Sequence, residues 1–256
     1  MRLRVMTFNL RCENDVDGEN SWRNRRDAAA AAVREVCPQV VCTQEGFAHM
    51  LSYLLEALPG YSMVGRGRDA DGGGEHSAIF FRSDRFEATA VDTFWLSSEP
   101  GVPGSRGWGA GLPRICTWCR LTSRETGETV RVYNAHLDHR SEEARRRSVE
   151  MIAEHVAAAR EPCIVCGDFN AEPEAVEMKP LCSRASFRGG RGLLGCTDLN
   201  RGTFHGFTGT SLHAGPIDYI LATPEVTLSE RRVLDYPFGG KWPSDHFPVW
   251  ADVTIS

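Results

Sequence analysis

Cys163-Ile164-Val165-Cys166-Gly167-Asp168-Phe169-Asn170 is the stretch on which the reading of this chain turns. The apolar run from Cys163 to Cys166 predicts a buried strand. Gly167 lets the backbone leave the sheet at low steric cost. Asp168 and Asn170 follow with one residue between them, and on an extended backbone residues i and i+2 point the same way. A carboxylate and a carboxamide are therefore expected to project together from a strand end. A hard, oxygen-liganded ion or a phosphate-bound water needs that arrangement.

Working outward, the same kind of ending recurs. Residues 3–9 alternate as a strand that closes on Thr7-Phe8-Asn9, and residues 39–43 form a second, with Gln44-Glu45 at its end. A Gly-rich loop, 65–74, delivers Glu75-His76 to a strand at 77–82. A further strand covers 91–96, and a Gly- and Pro-rich loop with Trp108 inside it runs from 97 to 113. Loops this long in compact domains are usually functional or mobile. Residues 114–121 and 129–137 read as a hairpin whose second strand ends in Asn134-Ala-His136-Leu-Asp138-His139-Arg140. Later strands cover 217–221, with Asp218 near the start, 226–233 and 249–255, the last preceded by Ser244-Asp245-His246. Helical spacing marks Trp22–Val36, 47–58 and 141–160. Residues 183–196 read as loop. The pattern is α/β (α+β), with no internal repeat and no linker dividing two cores across 1–256.

Composition excludes some classes. The 256 residues are 41% hydrophobic and 25% charged, with net charge −5. Acidic residues outnumber Lys plus Arg by 34 to 29, and Lys179 and Lys241 are the only lysines, so a broad basic face for duplex nucleic acid is not expected. No apolar run is long enough to span a bilayer, and the first residues alternate apolar with Arg and Thr, unlike a signal peptide. Nine cysteines without an export signal are expected to be free thiols in a cytoplasmic protein. Cys116/Cys119 and Cys163/Cys166 have C-x-x-C spacing. Residues i and i+3 of a strand face opposite sides, so neither pair is expected to chelate one ion.

Thr7-Phe8-Asn9, Gln44-Glu45, Asn134-Ala-His136, Gly167-Asp-Phe-Asn170, Ile217-Asp218-Tyr219 and Ser244-Asp245-His246 occur in that order from residue 7 to residue 246. Together they resemble the endonuclease/exonuclease/phosphatase superfamily, the DNase I-like fold. The resemblance implies a four-layer sandwich, two stacked mixed β-sheets flanked by helices, with a metal-dependent site where strand ends meet. It implies Mg²⁺ or Mn²⁺ as cofactor, with Glu45 as the main metal ligand, Asn9 beside it and Asp245 as a further acid. Asp168 and Asn170 resemble the pair that orients the attacking water and the scissile phosphate. His246 resembles the histidine on a nonbridging phosphate oxygen, with Asp218 as its carboxylate partner. His136 resembles the second active-site histidine, and Glu75 the acid paired with it.

The chemistry also stands on the residues. Phosphate ester hydrolysis needs an activated water and neutralised nonbridging oxygens. A carboxylate-held Mg²⁺ and imidazoles paired with acids provide both. Arg114, His139, Arg140 and His205 are expected to read a phosphorylated substrate, and Trp108 and Phe207 to stack on a sugar or base. A phosphorylated small molecule or a nucleic-acid end is the expected partner of a monomer that does not engage a membrane. An endo- or exonuclease acting on DNA or RNA stays open, as does a catalytically silent binding module. The intact set of Asn9, Glu45, Asp168, Asn170, Asp245 and His246 argues against the silent module.

Overall fold

The alternating and apolar runs form strands in the computed structural model, which describes residues 1–182, 193 and 201–255. In chain order the strands are β1 (Arg2–Asn9), β2 (Val40–Gly46), β3 (Tyr61–Val64), β4 (His76–Arg82), β5 (Phe86–Trp95), β6 (Ile115–Ser123), β7 (Thr129–His136), β8 (Cys163–Asp168), β9 (Asp218–Ala222), β10 (Val226–Val233) and β11 (Val249–Ile255). One sheet has the order β10-β11-β1-β2-β4-β3 and the other β5-β6-β7-β8-β9. Each contains one parallel pair, β1–β2 and β7–β8, so both are mixed. A parallel pair needs a crossover. Helices α1 (Trp22–Val36) and α3 (Glu142–Ala158) lie in those two connections, and α2 (Ala48–Ala57) and α4 (Lys179–Cys182) follow β2 and β8.

Residue parity decides which side chains go where, because neighbours along a strand face opposite sides. Leu3 and Val5 of β1, Val40 and Cys42 of β2, Val130 and Val132 of β7, Ile164 and Cys166 of β8, and Ile220 and Ala222 of β9 share one buried cluster, the seam between the sheets. The opposite parity of the first sheet, including Met6, Phe8 and Val41, packs under α1 and α2. That of the second, including Tyr133, Cys163 and Val165, packs under α3 and α4. The result is four layers, helices outside and sheets inside. Fully burying one such aliphatic side chain is worth about 1.5–3 kcal/mol.

Several details differ from the sequence reading. The strand expected at 91–96 begins at Phe86 and bulges between Ala88 and Ala90. The edge strand β3 was not expected; its four half-buried residues give no alternation to read. Gly167 does not release the chain from the sheet. It lies within β8 at φ 149°, where an added Cβ would stand 2.0 Å from the Ala135 carbonyl oxygen. Only glycine allows β7 and β8 to approach so closely there. The loop expected over 183–196, with its Arg-bearing part at 184–191, lies outside the described residues, Leu193 excepted.

The cysteines divide. Cys116 and Cys163 face the helices while Cys119 and Cys166 face the seam, so the two C-x-x-C pairs are split across their sheet. Among the described residues seven cysteines lie outside any disulfide, but Cys182 is disulfide-bonded, which overturns the expectation of nine free thiols. A tally of thiols in sequence cannot register that pairing. Among the described residues no helix is long and apolar enough to cross a membrane.

Candidate active site

β1, β2, β7 and β8 all end at one edge of the seam, and β4, β9 and β11 begin there. Register places His136 beside Asp168 and Asp168 beside Asp218 on three adjacent strands. All three continue the inward parity of Val132, Cys166 and Ile220, so they turn toward the first sheet. Asn9 faces them from β1, two residues beyond Thr7. Between the apolar seam and this row lies a layer of amides. Gln44 Nε2 donates to Asn134 Oδ1 at 2.7 Å and to Thr7 Oγ1 at 3.1 Å, and Asn134 Nδ2 donates to the carbonyls of Thr43 and Ala78 at 2.8 Å each.

Glu45 breaks the parity. Its φ is 62°, and the β2–β4 register shifts between Thr43 and Gly46. A left-handed non-glycine residue costs of order 1–3 kcal/mol and persists only where its surroundings hold it. Here the Glu45 carboxylate accepts from Asn9 Nδ2 and from the Cys12 N–H, both at 2.9 Å. The bulge thus brings into the row a residue that regular pairing would direct elsewhere.

Asn9 Nδ2 also donates to Asp168 Oδ2 at 2.9 Å, and Asn9 Oδ1 accepts from the Arg11 N–H at 2.8 Å. Asn9, expected beside the metal, thus uses its amide nitrogen to fix two carboxylates. His246 Nδ1 lies 2.9 Å from Asp218 Oδ2. The Nε2 atoms of His246 and of His136 each stand 3.7 Å from Asp168 Oδ2. Asn170 has left the extended conformation, at φ 49°; its N–H donates to Asp168 Oδ1 and its Nδ2 to the Leu137 carbonyl. Asp168 and Asn170 therefore meet in the cavity through a tight turn, not through strand alternation.

The electrostatics follow from crowding. Burial, and then the charge of Asp218, raise the Asp168 carboxyl to about 7. Burial also raises Asp245 and Glu75, and the charge of Glu45 adds to both. Burial disfavours a charged His246, but Asp218 outweighs it and lifts this imidazole well above its usual range. Burial and the Arg114 guanidinium push His136 the other way, toward the neutral ring. Against the cost of burial, His136, Asn9 and the Cys12 N–H hold Glu45 down at about 2. A neutral His136 withdraws its part of that support, which leaves the two hydrogen bonds and the charge of His246 to keep Glu45 ionised.

A cavity of about 330 Å³ opens over this row. Of the residues expected from sequence, Glu45, Glu75, Arg114, His136, His139, Asp168, Asn170, Asp245 and His246 line it. Asp218 stands behind His246. Glu75 lies 3.8 Å from His136 Nδ1, too far for a hydrogen bond, and its partner is instead Arg68, at 2.6 Å. Asn9, like Asp218, is not part of the cavity lining, and four further expected residues stand outside it. His205 is fully buried, stacked on Phe247 at 4.0 Å, with its Nδ1 accepting from the Gly209 N–H. Phe207 packs against the Arg25 guanidinium, Trp108 accepts the Ser141 hydroxyl on its carbonyl, and Arg140 is exposed beside His139.

Sequence reading missed Arg11, Leu112, Phe204, His213 and Ile217, which also line the cavity. It also missed Asp138, a buried carboxylate that accepts the N–H groups of Arg140, Ser141 and Gly111 and the Nε of Arg114. The His136-Leu-Asp138-His139 spacing contained that signal, since Asp138 shares the parity of His136.

A sequence profile of the Endonuclease/Exonuclease/phosphatase family matches residues 6–246. The chain belongs to this family. A mannosyl-6-phosphatase from Bacteroides thetaiotaomicron is 33% identical and superposes with a TM-score of 0.91, over 99% of this chain and 100% of that one. Another family protein from that organism is also 33% identical, with a TM-score of 0.91 over 100% and 96% of the two chains. Nocturnin from Drosophila melanogaster is 22% identical over 297 residues, and the match spans 92% of this chain but only 42% of that curated relative. Members of the Endonuclease/Exonuclease/phosphatase family are phosphoric ester hydrolases, and this protein is an enzyme of that class.

Proposed function

We propose that this protein is a Mg²⁺-dependent (or Mn²⁺-dependent) phosphomonoesterase acting on a small phosphorylated metabolite. The observation that carries the reading is the His136–Asp168–Asp218 row, completed by Glu45 and His246, at the floor of a cavity of about 330 Å³. That volume is at the low end for ligand sites and suits a compact molecule. The mannosyl-6-phosphatase among the similar structures makes sugar phosphates the first substrates to test.

The donor set fits a hard divalent ion. Glu45 is ionised, and Asp168 and Asp245 are raised first by burial and then by neighbouring negative charge, which a cation would offset. Glu45 would hold the ion, with Asp245 as a second oxygen donor. When bound, such an ion acidifies water and neutralises phosphoryl charge. The chain's own groups do the rest. Asp168, with its pKa near neutrality, takes a proton from the attacking water, and Asn170 keeps that carboxylate oriented. His246, charged and fixed by Asp218, donates from Nε2 to a nonbridging oxygen. Neutral His136 offers a second donor opposite it.

The test is phosphate release from hexose phosphates, glycerol phosphate, nucleotides, short oligonucleotides and supercoiled plasmid, with and without Mg²⁺. Metal-dependent release from small monoesters is expected. Plasmid nicking that exceeds every small ester in kcat/KM, with a steep salt dependence, would replace this reading with the nuclease. Release from none of them would leave the silent binding module.

A further inference from the structure

Sheet order separates two apolar side chains at the mouth of the cavity. Leu112 comes from the 97–113 loop, just before Arg114 and β6, and it is 41% exposed. Phe204 lies beyond the other end of the catalytic row, past β7, β8 and β9. It is paired by a β-bridge to His246, with their rings 5.0 Å apart. Both are fixed in place. The Gly111 N–H beside Leu112 donates to Asp138, and the Trp108 carbonyl accepts from Ser141. Behind Phe204, the N–H groups of His205 and Gly206 donate to the Asp245 carbonyl, and the Phe247 N–H donates to that of Thr203. His213 also lies near the ring, with centroids 5.8 Å apart.

Neither side chain can act on a phosphate, yet both line the same cavity as His246. A phosphate held by His246 has its organic part pass Phe204, the neighbour of that imidazole. We propose that Phe204 is the specificity-determining platform for that organic part, that Leu112 covers it, and that the ring received is a pyranose. A pyranose presents an apolar C–H face to an aromatic ring and hydroxyls to its sides, where His139, His213 and Asn170 supply polar atoms. This deepens the phosphomonoesterase reading and rests on it.

The experiment compares wild type, Phe204→Ala, Phe204→Tyr and Leu112→Ala on mannose 6-phosphate, a nucleoside monophosphate and glycerol phosphate, which has no ring. Loss of one stacking contact corresponds to about a five- to tenfold rise in KM. Phe204→Ala is expected to show that rise on mannose 6-phosphate with kcat little changed, and to leave kcat/KM on glycerol phosphate as it was. Phe204→Tyr restores the KM, and Leu112→Ala gives a smaller rise of the same kind. An equal loss on mannose 6-phosphate and glycerol phosphate overturns the proposal, since Phe204 would then merely prop His246. A preference for the nucleotide that Phe204→Ala abolishes also overturns it. Wild type that hydrolyses glycerol phosphate but no hexose phosphate sinks the sugar subsite and spares the phosphomonoesterase. Hydrolysis of neither sinks both.

Discussion

The seam between the sheets has two ends made by the same strands and the same parity. At one end Val5, Val132, Ile164 and Ile220 form a dry core; a few residues on, Asn9, His136, Asp168 and Asp218 occupy the equivalent positions. For these four residues the strand pairing simply continues, so their conversion from core to polar cavity floor is made by side-chain type. The cost differs sharply. An aliphatic residue gains from burial, whereas a buried carboxylate loses hydration and must be compensated by hydrogen bonds and opposite charge. The amide layer of Gln44 and Asn134 separates the two regimes.

Four substitutions would break or sharpen that contrast. The largest effect is expected for Asp168→Asn. It removes the proposed base and should lower kcat about 10³–10⁴-fold. It should also raise the stability of the metal-free protein, by about 1 kcal/mol, because it removes a charge that burial and Asp218 disfavour. Rate measurements and melting of the same samples check both halves, and a loss of rate with a loss of stability would contradict the picture. Glu45→Gln comes next, with a loss of about 10²–10³-fold in Mg²⁺-dependent hydrolysis and an unchanged fold. Near wild-type activity at saturating metal would remove Glu45 from the ion.

At the dry end the readouts invert. Ile164→Ala, 0% exposed, should cost about 3 kcal/mol in chemical denaturation while the folded fraction keeps its kcat. Catalytic loss beyond the folded fraction would mean that the two ends are coupled. The smallest effect belongs to His205, which burial and then His246 hold down at about 4, against a usual value near 6.5. Above pH 6.5 both folded and unfolded chains carry it neutral. As pH falls from 6.5 to about 4 the unfolded chain binds a proton that the folded one refuses, so stability declines across that window, by about 1–2 kcal/mol. His205→Phe should flatten that part of the stability profile, and an unaltered slope would assign it elsewhere.

What the sequence made legible were the features governed by period. Alternation located Asn9, His136, Asp168 and Asp218 at strand ends, and register then had little freedom in bringing them together. What stayed hidden were departures from period. Glu45 enters the row only through a bulge and a left-handed φ. Asn170 reaches the cavity by a turn of the same hand. In the 203–207 loop, sequence favoured His205 and Phe207, but the bridge to His246 is made by Phe204, which leaves His205 inside the aromatic stack. The Cys182 disulfide is a tertiary fact with no local signature.

Arg25 has a further consequence. This buried side chain donates to the carbonyls of Leu10, Arg11, Asn20 and Pro243, joining the chain's first two dozen residues to one near its end. β1 likewise waits for β11 as its outer neighbour. On the ribosome, an emerging chain therefore carries an arginine short of one acceptor and a central strand with an open side until Pro243 and the strand after it have been made. Translation itself then acts as a timer, keeping a hydrolase silent until β11 has been made. Ribosome-bound chains arrested at residue 240, which also lack Asp245 and His246, should be inactive and should stay protease-sensitive around Arg25, whereas chains carried through residue 256 on a linker long enough to clear the exit tunnel should resist protease there and hydrolyse substrate.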